Sequence, residues 1–208
     1  MGSVWMPQIG LYWTQETRYL QVADVLSRNK FYRISQVLHF NNNALVVVDR
    51  DFPHYDSLHK NRPFLFAIRQ NCLTIENEKH QSIDEQLIPF KGKNKLRQYL
   101  QKKPKKLGFK VFARCYVSGI IYDFEFNEVK SPATLIPLPV SIKNYQAAKF
   151  VWRLVEELPQ QVGHKVCFDN FFTFVELQLE LMAIGICCVG TVRSNRLRDC
   201  LLKTEKQL

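Results

Sequence analysis

The chain has 208 residues, of which 46% are hydrophobic and 12% aromatic. This composition supplies an apolar core and excludes an intrinsically disordered chain, and no apolar run reaches the ~20 residues that a transmembrane helix needs. The formal net charge is +10, and the segment 81–110 holds nine Lys and Arg against two acidic residues. Positive charge concentrated in one stretch favours a phosphate-binding surface over a general effect on solubility.

Cysteine and histidine spacing does not match the common zinc motifs. The six cysteines form no C-x-x-C pair, and most lie within apolar runs, where a free cysteine behaves as a small hydrophobic residue. The five histidines show no metal-ligand spacing among themselves. We therefore predict no zinc site and a reduced intracellular compartment.

Residues 1–73 are predicted to form a small helical subdomain. Thr14 and Ser27 are suitable N-caps for two helices, since their hydroxyls can accept a hydrogen bond from the first turn. A third helix should follow, with Phe64 and Ile68, together with Leu65 and Cys72, on its inward face because apolar residues recur there at helical spacing.

From residue 74 the pattern changes to strands and helices that should form one mixed sheet. Alternating or continuous apolar runs predict strands, and an apolar stripe at helical spacing predicts a helix. The predicted elements are, in order, strands at 81–88, 109–116 and 120–126, a helix at 145–158, a strand at 165–168, a helix at 174–184 and a strand at 186–192. The last three form a βαβ crossover. The predicted fold class is therefore α/β, with an incomplete ribonuclease H-like sheet and flanking helices over residues 74–208.

Two aspartates lie where a core of this order carries its acidic residues. Asp84 is on the first predicted strand, and Asp169 follows the fourth, at a carboxyl end where such sheets bind ligands. Glu85 is next to Asp84, but side chains alternate along a strand, so the two carboxylates point to opposite faces. An alternative reading of Asp169 is an ordinary turn or helix cap.

The cationic stretch after Phe90 is the candidate DNA-binding surface, with an additional cluster near the end of the last predicted strand. A run of this kind is also typical of nuclear import signals, here Lys102–Lys106. The candidate DNA-binding residues are Lys91, Lys93, Lys95, Arg97, Lys102, Lys103, Lys105, Lys106, Arg193, Asn195 and Arg196.

Several long motifs carry a resemblance to a known family. SIDEQLIPFKG, KKPKKLGFKVF and VCFDNFFTFVEL resemble the core of piggyBac-type transposases, and so does the ending through Arg196. LSRNKFYRISQVLHFNNN and HKNRPFLFAIRQNC resemble the helical segment that precedes that core. The match covers nearly the whole chain in the family's order.

The resemblance implies a cut-and-paste DNA transposase lineage with a ribonuclease H-like fold, three catalytic aspartates and two divalent metal ions. Asp84 in SIDEQ matches the first aspartate, and Asp169 in CFDNFFT matches the second. The third lies further downstream than the last matching motif, so we expect it to be missing, together with the insertion domain, the final catalytic helix and the Cys-rich zinc-binding tail. Weak binding of Mg²⁺ or Mn²⁺ at Asp84 and Asp169 is expected, and a dimer if the family's assembly is kept.

The leading functional prediction is a nuclear, transposase-derived protein that binds DNA and has lost transposition. The first alternative is a metal-dependent nuclease that uses Asp84, Asp169 and a recruited glutamate, Glu156 or Glu157. The second is a protein-interaction module whose basic loop binds an acidic partner. No membrane partner is expected.

Overall fold

The computed structural model describes residues 4–49, 51–52, 55–101, 103–128 and 137–196. In this part of the chain, five α-helices, six strands and several short 3₁₀ helices are arranged as a helical segment followed by a mixed α/β core. The helices are α1 Leu20–Ala23, α2 Arg28–Val37, α3 Arg62–Leu73, α4 Gln146–Val155 and α5 Val175–Ala183. The strands are β1 His80–Pro89, β2 Arg97–Tyr99, β3 Leu107–Tyr116, β4 Ile121–Phe126, β5 Lys165–Phe168 and β6 Cys187–Gly190.

The six strands form one mixed sheet with β1 at its centre. β1 is antiparallel to β3 on one side and parallel to β5 on the other, and β6 continues the sheet parallel to β5. β2 and β4 both pair antiparallel with β3. The predicted fold class is confirmed, because the sheet is mixed, the hairpin strands precede the parallel ones, and β5, α5 and β6 form the expected crossover.

The hydrophobic core lies on one face of this sheet. α4 and α5 cover that face, where Phe112 of β3 and Phe168 of β5 pack with Val151 of α4 and Leu177 of α5. α5 ends at Gly185, whose φ of +77° lets its N–H and that of Ile186 return to carbonyls of the last helical turn. Burial of these apolar side chains stabilises the packing of the two helices on the sheet.

The helical segment differs from prediction at its beginning. Thr14 does not cap a helix, since it follows a 3₁₀ helix at Ile9–Trp13 and its side-chain hydroxyl bonds back to the carbonyl of Leu11. α1 is a single turn, and the prediction that Thr14 begins a helix was wrong because that hydroxyl is used locally. Ser27 does cap α2, where its hydroxyl accepts the Lys30 N–H.

The prediction for the inward face of α3 was wrong for Phe64 and Ile68, which are 45% and 36% exposed. It holds for Leu65 and Cys72, which are half-buried. The same helix also carries two half-buried arginines, Arg62 and Arg69. Apolar periodicity missed them because arginine is usually exposed.

Two ion pairs join α3 to the strand β4 and the residues after it. The guanidinium of Arg69 donates two hydrogen bonds to the carboxylate of Asp123, at 2.6 and 3.0 Å, and the Asp123 side chain is fully buried. Two turns earlier, Arg62 bonds both Asp56 and Glu128, whose side chain is 2% exposed. These pairs hold the helical segment against the edge of the sheet. The division of the chain at residue 73 into two domains stays a prediction.

Within the described ranges, no helix combines the length and the apolar character that crossing a membrane requires.

Candidate metal centre and nucleic-acid surface

Asp84 and Asp169 lie on neighbouring strands. Ile83 of β1 pairs with Phe168 of β5 in the parallel register, so each aspartate is the residue directly after a paired one. Adjacent strands are about 4.8 Å apart. Both aspartates are exposed, whereas Ile83 and Phe168 are buried in the core. Strand alternation therefore directs Asp84 to the face opposite the helices, with the Asp169 backbone beside it.

Asp84 has an exposed side chain on β1. Its Oδ1 accepts the N–H of Glu85 at 2.7 Å, and its strand partner on β3 is Ala113. Burial, followed by the negative charge of Asp84, raises the pKa of the Cys115 thiol. The Cys115 thiol is therefore favoured in its neutral form.

The turn that carries Asp169 is closely constrained by hydrogen bonds. Its carbonyl accepts the Phe172 N–H at 3.2 Å and the buried hydroxyl of Thr173 at 2.8 Å, and its Oδ1 accepts the Phe171 N–H at 2.9 Å. Gly190 of β6 packs under this turn, since a Cβ there would lie 2.5 Å from the Thr173 hydroxyl. The orientation of the carboxylate is therefore set by its own turn.

Arg196 binds the same turn from outside. One of its terminal nitrogens lies 2.7 Å from the carbonyl oxygens of Asn170 and of Thr173, and its guanidinium stacks 4.0 Å from the centre of the Phe174 ring. Burial, and secondarily the charge of Arg193, lowers the pKa of Arg196. Arg196 was predicted from sequence as a phosphate ligand; in the structure it donates to protein carbonyls.

Glu85 points to the core side of β1, as strand alternation predicts. Its carboxylate lies 2.5 Å from the ammonium of Lys110, and the ammonium of Lys103 is 3.9 Å away. The ammonium of Lys110 also lies 4.9 Å from the ring centre of Phe112 and 4.5 Å from that of Phe171. Sequence reasoning did not assign a role to Lys110. The sequence does contain a signal for its inward orientation. Lys110 and the core residue Phe112 are two apart on β3, and residues two apart on a strand share a face of the sheet.

The predicted DNA-binding residues divide into exposed cations and cations bound within the protein. Arg97, on the short strand β2, donates to the carbonyls of Lys91 and Gly92, at 3.2 and 2.9 Å, and so closes the loop. Lys103 reaches back to β1, where its ammonium donates to the carbonyl of Glu85 at 3.1 Å. Lys102 lies outside the described residues. The exposed members are Lys91, Lys93, Lys95, Lys105, Lys106, Arg193 and Asn195.

This loop comes close to the aspartates. Lys103 contacts the residue next to Asp84, and Arg193 lies 3.4 Å from the side chain of Asn170, which follows Asp169. The Lys103 ammonium lies on the Glu85 side of β1, opposite to the Asp84 side chain, whereas Arg193 lies beside the residue that follows Asp169.

Glu156, one of the two glutamates considered as a recruited acid, lies elsewhere. Burial, followed by the charge of Glu157, raises its pKa, and the other charges that act on it are Arg69, Arg153 and Asp123. These groups surround β4, which is three strands away from β5 in the sheet. Among the described residues, the charges that act on Glu156 do not include Asp169.

The carboxylates of Asp84 and Asp169 are of the chemical type that binds a hard divalent cation. Carboxylate oxygens are the ligands that Mg²⁺ and Mn²⁺ prefer, with water filling the remaining positions. In the part of the chain that the structure describes, no three His, Cys, Asp or Glu side chains are grouped so that they could hold a metal ion. Asp84 and Asp169 would therefore be the two protein ligands, and their role stays a prediction.

The order and direction of the strands are those of a ribonuclease H-like core, the fold of the DDE transposase class. A family profile described as "Transposase IS4" matches residues 1–201. The chain belongs to the piggyBac-type transposase family.

Individual relatives agree with this assignment. The chain is 27% identical over 210 residues to the human "PiggyBac transposable element-derived protein 3", with all of this chain and 34% of that protein covered. It is 30% identical over 218 residues to the human "PiggyBac transposable element-derived protein 2", again with all of this chain and 34% of the relative covered. The chain therefore spans about a third of the length of these relatives.

A solved structure shows the same fold. The chain superposes on a piggyBac transposase chain from the cryo-EM structure titled as a synaptic complex with hairpin DNA, with a TM-score of 0.73. The alignment covers 89% of this chain and 37% of that one at 21% identity.

Proposed function

We propose that this chain is a piggyBac transposase-derived protein that binds DNA without sequence preference, through the loop between β1 and β3. The observation that carries the proposal is the set of exposed lysines on that loop, beside a core of transposase fold. Arg97 and Lys103 support it by fixing the loop to itself and to β1. The related transposase whose structure is titled as a hairpin DNA complex also supports it.

The salt dependence of DNA binding tests this proposal. If about five or six phosphates are neutralised, log affinity for duplex DNA should fall with log salt at a slope near five. Replacing four exposed loop lysines by alanine, Lys93, Lys95, Lys105 and Lys106, should reduce that slope by about 3.6 if each contacts one phosphate, because each phosphate contact contributes about 0.9. Fluorescence anisotropy with a labelled duplex at several salt concentrations measures both slopes.

A matched control keeps the total charge change the same. Lys30, Lys60, Lys79 and Lys143 are exposed lysines outside the segment 81–110, and their replacement by alanine should leave the slope within about one unit of wild type. Equal loss in both quadruple variants would show a general charge effect. A wild-type protein that binds an acidic polypeptide but no DNA would favour the interaction-module alternative.

We further propose that Asp84 and Asp169 bind Mg²⁺ or Mn²⁺ weakly, and that residues 1–208 do not carry out transposition. The proposal is supported by the two motifs that match two of the family's three aspartates. Two-metal phosphoryl transfer needs carboxylates that bridge and flank a pair of ions about 3.5–4 Å apart. With two carboxylates the ions are held loosely against the phosphate, and positioning and electrostatic stabilisation carry most of this reaction.

Cleavage assays test this second part. We expect strand cleavage and hairpin formation on transposon-end DNA to be reduced by orders of magnitude, to the level of a buffer control, in both Mg²⁺ and Mn²⁺. Supercoiled plasmid and end-labelled duplexes are the substrates. Cleavage that Asp84→Asn and Asp169→Asn each abolish would establish the metal-dependent nuclease alternative, whereas cleavage that survives both would come from a contaminant.

Nuclear localisation is proposed from the basic run that includes Lys105 and Lys106, and a dimer is proposed by analogy with the family's assembly.

A further inference from the structure

Among the lysines of the segment 81–110 that the structure describes, Lys110 is the one withdrawn from solvent. Its side chain is 10% exposed, and its ammonium is 2.5 Å from the carboxylate of Glu85. Two aromatic rings, those of Phe112 and Phe171, lie within 5 Å of the same nitrogen. An ammonium that has lost its hydration requires such partners, and the faces of aromatic rings attract cations.

These contacts connect the two segments that carry the aspartates. Glu85 directly follows Asp84 on β1, and Phe171 lies two residues after Asp169. The backbone N–H of Phe171 is the donor that fixes the Asp169 Oδ1, at 2.9 Å. Lys110 on β3 therefore contacts both aspartate-bearing segments from the core side of the sheet, while Asp84 faces the other side.

We propose that Lys110 is a positioning residue for Asp169. Its ammonium, held by Glu85 on the rigid central strand, fixes the Phe171 ring, and the Phe171 backbone in turn fixes the Asp169 carboxylate at a set distance from Asp84. Lys110 is thus not a DNA contact, although it lies in the cationic stretch. Its importance for metal binding rests on the proposed function, but the positioning does not.

Amide hydrogen exchange measured by NMR tests the positioning directly, in the full chain without metal or DNA. Lys110→Met keeps the length and apolar stem of the side chain but removes the charge. We expect it to speed exchange of the Phe171 and Phe172 amides about tenfold while the central amides of β1 and β5 change little. Lys110→Arg, which keeps a cation against the rings and Glu85, should restore most of the protection.

Lys103→Met is the matched control. Lys103 lies beside the same carboxylate, at 3.9 Å and 32% exposed, and its loss should leave exchange in the Asp169 turn near the wild-type rate. Should Lys110→Met fail to fold, Phe171→Leu provides the second test, since it keeps apolar volume and removes the ring face, and it should accelerate the same two amides. Unchanged exchange in the turn, or an equal increase throughout the sheet, would overturn the proposal.

Metal affinity gives a separate readout. Mn²⁺ binding followed by electron paramagnetic resonance should weaken about tenfold in Lys110→Met, as is common when a residue that orients a metal ligand is lost, and recover in Lys110→Arg. A wild-type chain that binds no Mn²⁺ would reject the proposed metal site, and the exchange rates would still decide whether Lys110 positions the turn.

Discussion

Replacing Asp123 by asparagine is expected to lower the free energy of unfolding by about 3–5 kcal/mol, the usual cost of leaving a buried charge without its partner. The Asp123 side chain is fully buried and receives two hydrogen bonds from Arg69. The charge of Asp123 also acts on Arg114, a fully buried residue whose pKa is lowered, first by burial and further by Arg69. Without Asp123, the charges of the half-buried Arg69 and the buried Arg114 would lose this compensating anion.

Chemical denaturation of both proteins measures this effect. The control is Asp24→Asn, which removes an ion pair of similar length, 2.6 Å to Arg18, whose two side chains are 44% and 58% exposed. That change should cost under about 1 kcal/mol, because exposed ion pairs contribute little. Similar losses in the two variants would mean that Asp123 is not a stabilising centre of the fold.

The second large effect is expected at Gly108. A Cβ at this position would lie 2.1 Å from the carbonyl oxygen of Ile88 on β1, closer than real contacts allow, and 3.1 Å from the Leu87 side chain. Gly108→Ala must therefore displace the backbone of the central strand. We expect a loss of about 3 kcal/mol, the upper part of the range for overpacking, since backbone cannot move aside as a side chain can.

Gly10→Ala is the control for this prediction. Neither glycine has a positive φ, and an added Cβ at Gly10 would meet only the Arg28 side chain, at 3.8 Å. Its free energy of unfolding should stay within about 0.5 kcal/mol of wild type. Thermal unfolding followed by circular dichroism compares the two variants with wild type. A Gly108→Ala protein as stable as Gly10→Ala would contradict the close approach of Gly108 to the Ile88 carbonyl.

The parts of the fold that sequence could predict are those with strong apolar patterns. β5, at Lys165–Phe168, has the predicted bounds, and β1, β3 and β4 begin and end within two residues of prediction. Each is bounded by a turn residue or a change of charge. β2 was missed because it has three residues, two of them polar, and its pairing with β3 depends on a fold that local pattern does not describe.

The sequence did not predict which cationic side chains would point into the protein. Arg69, Lys110 and Arg196 are of a residue type that is usually exposed, and each is directed inward by a partner distant in sequence. For Arg196 the partners are backbone carbonyls, which no sequence pattern marks. Asp84 and Asp169 could be predicted as a pair because the family motifs contain them. That they lie on adjacent strands depends on the pairing of β1 with β5.

The pairing of β1 with β5 also has a consequence for how the protein folds. β1, β3 and β4 are joined through short sequence separations, but Ile83 and Phe168 are about 85 residues apart in the chain. Contacts that close such long loops form slowly, because the entropy of closure is lost before the contact is gained. The antiparallel part of the sheet can thus assemble first and display Asp84 alone. The two aspartates come together only when β5 docks, so the metal site proposed for them would form late in folding.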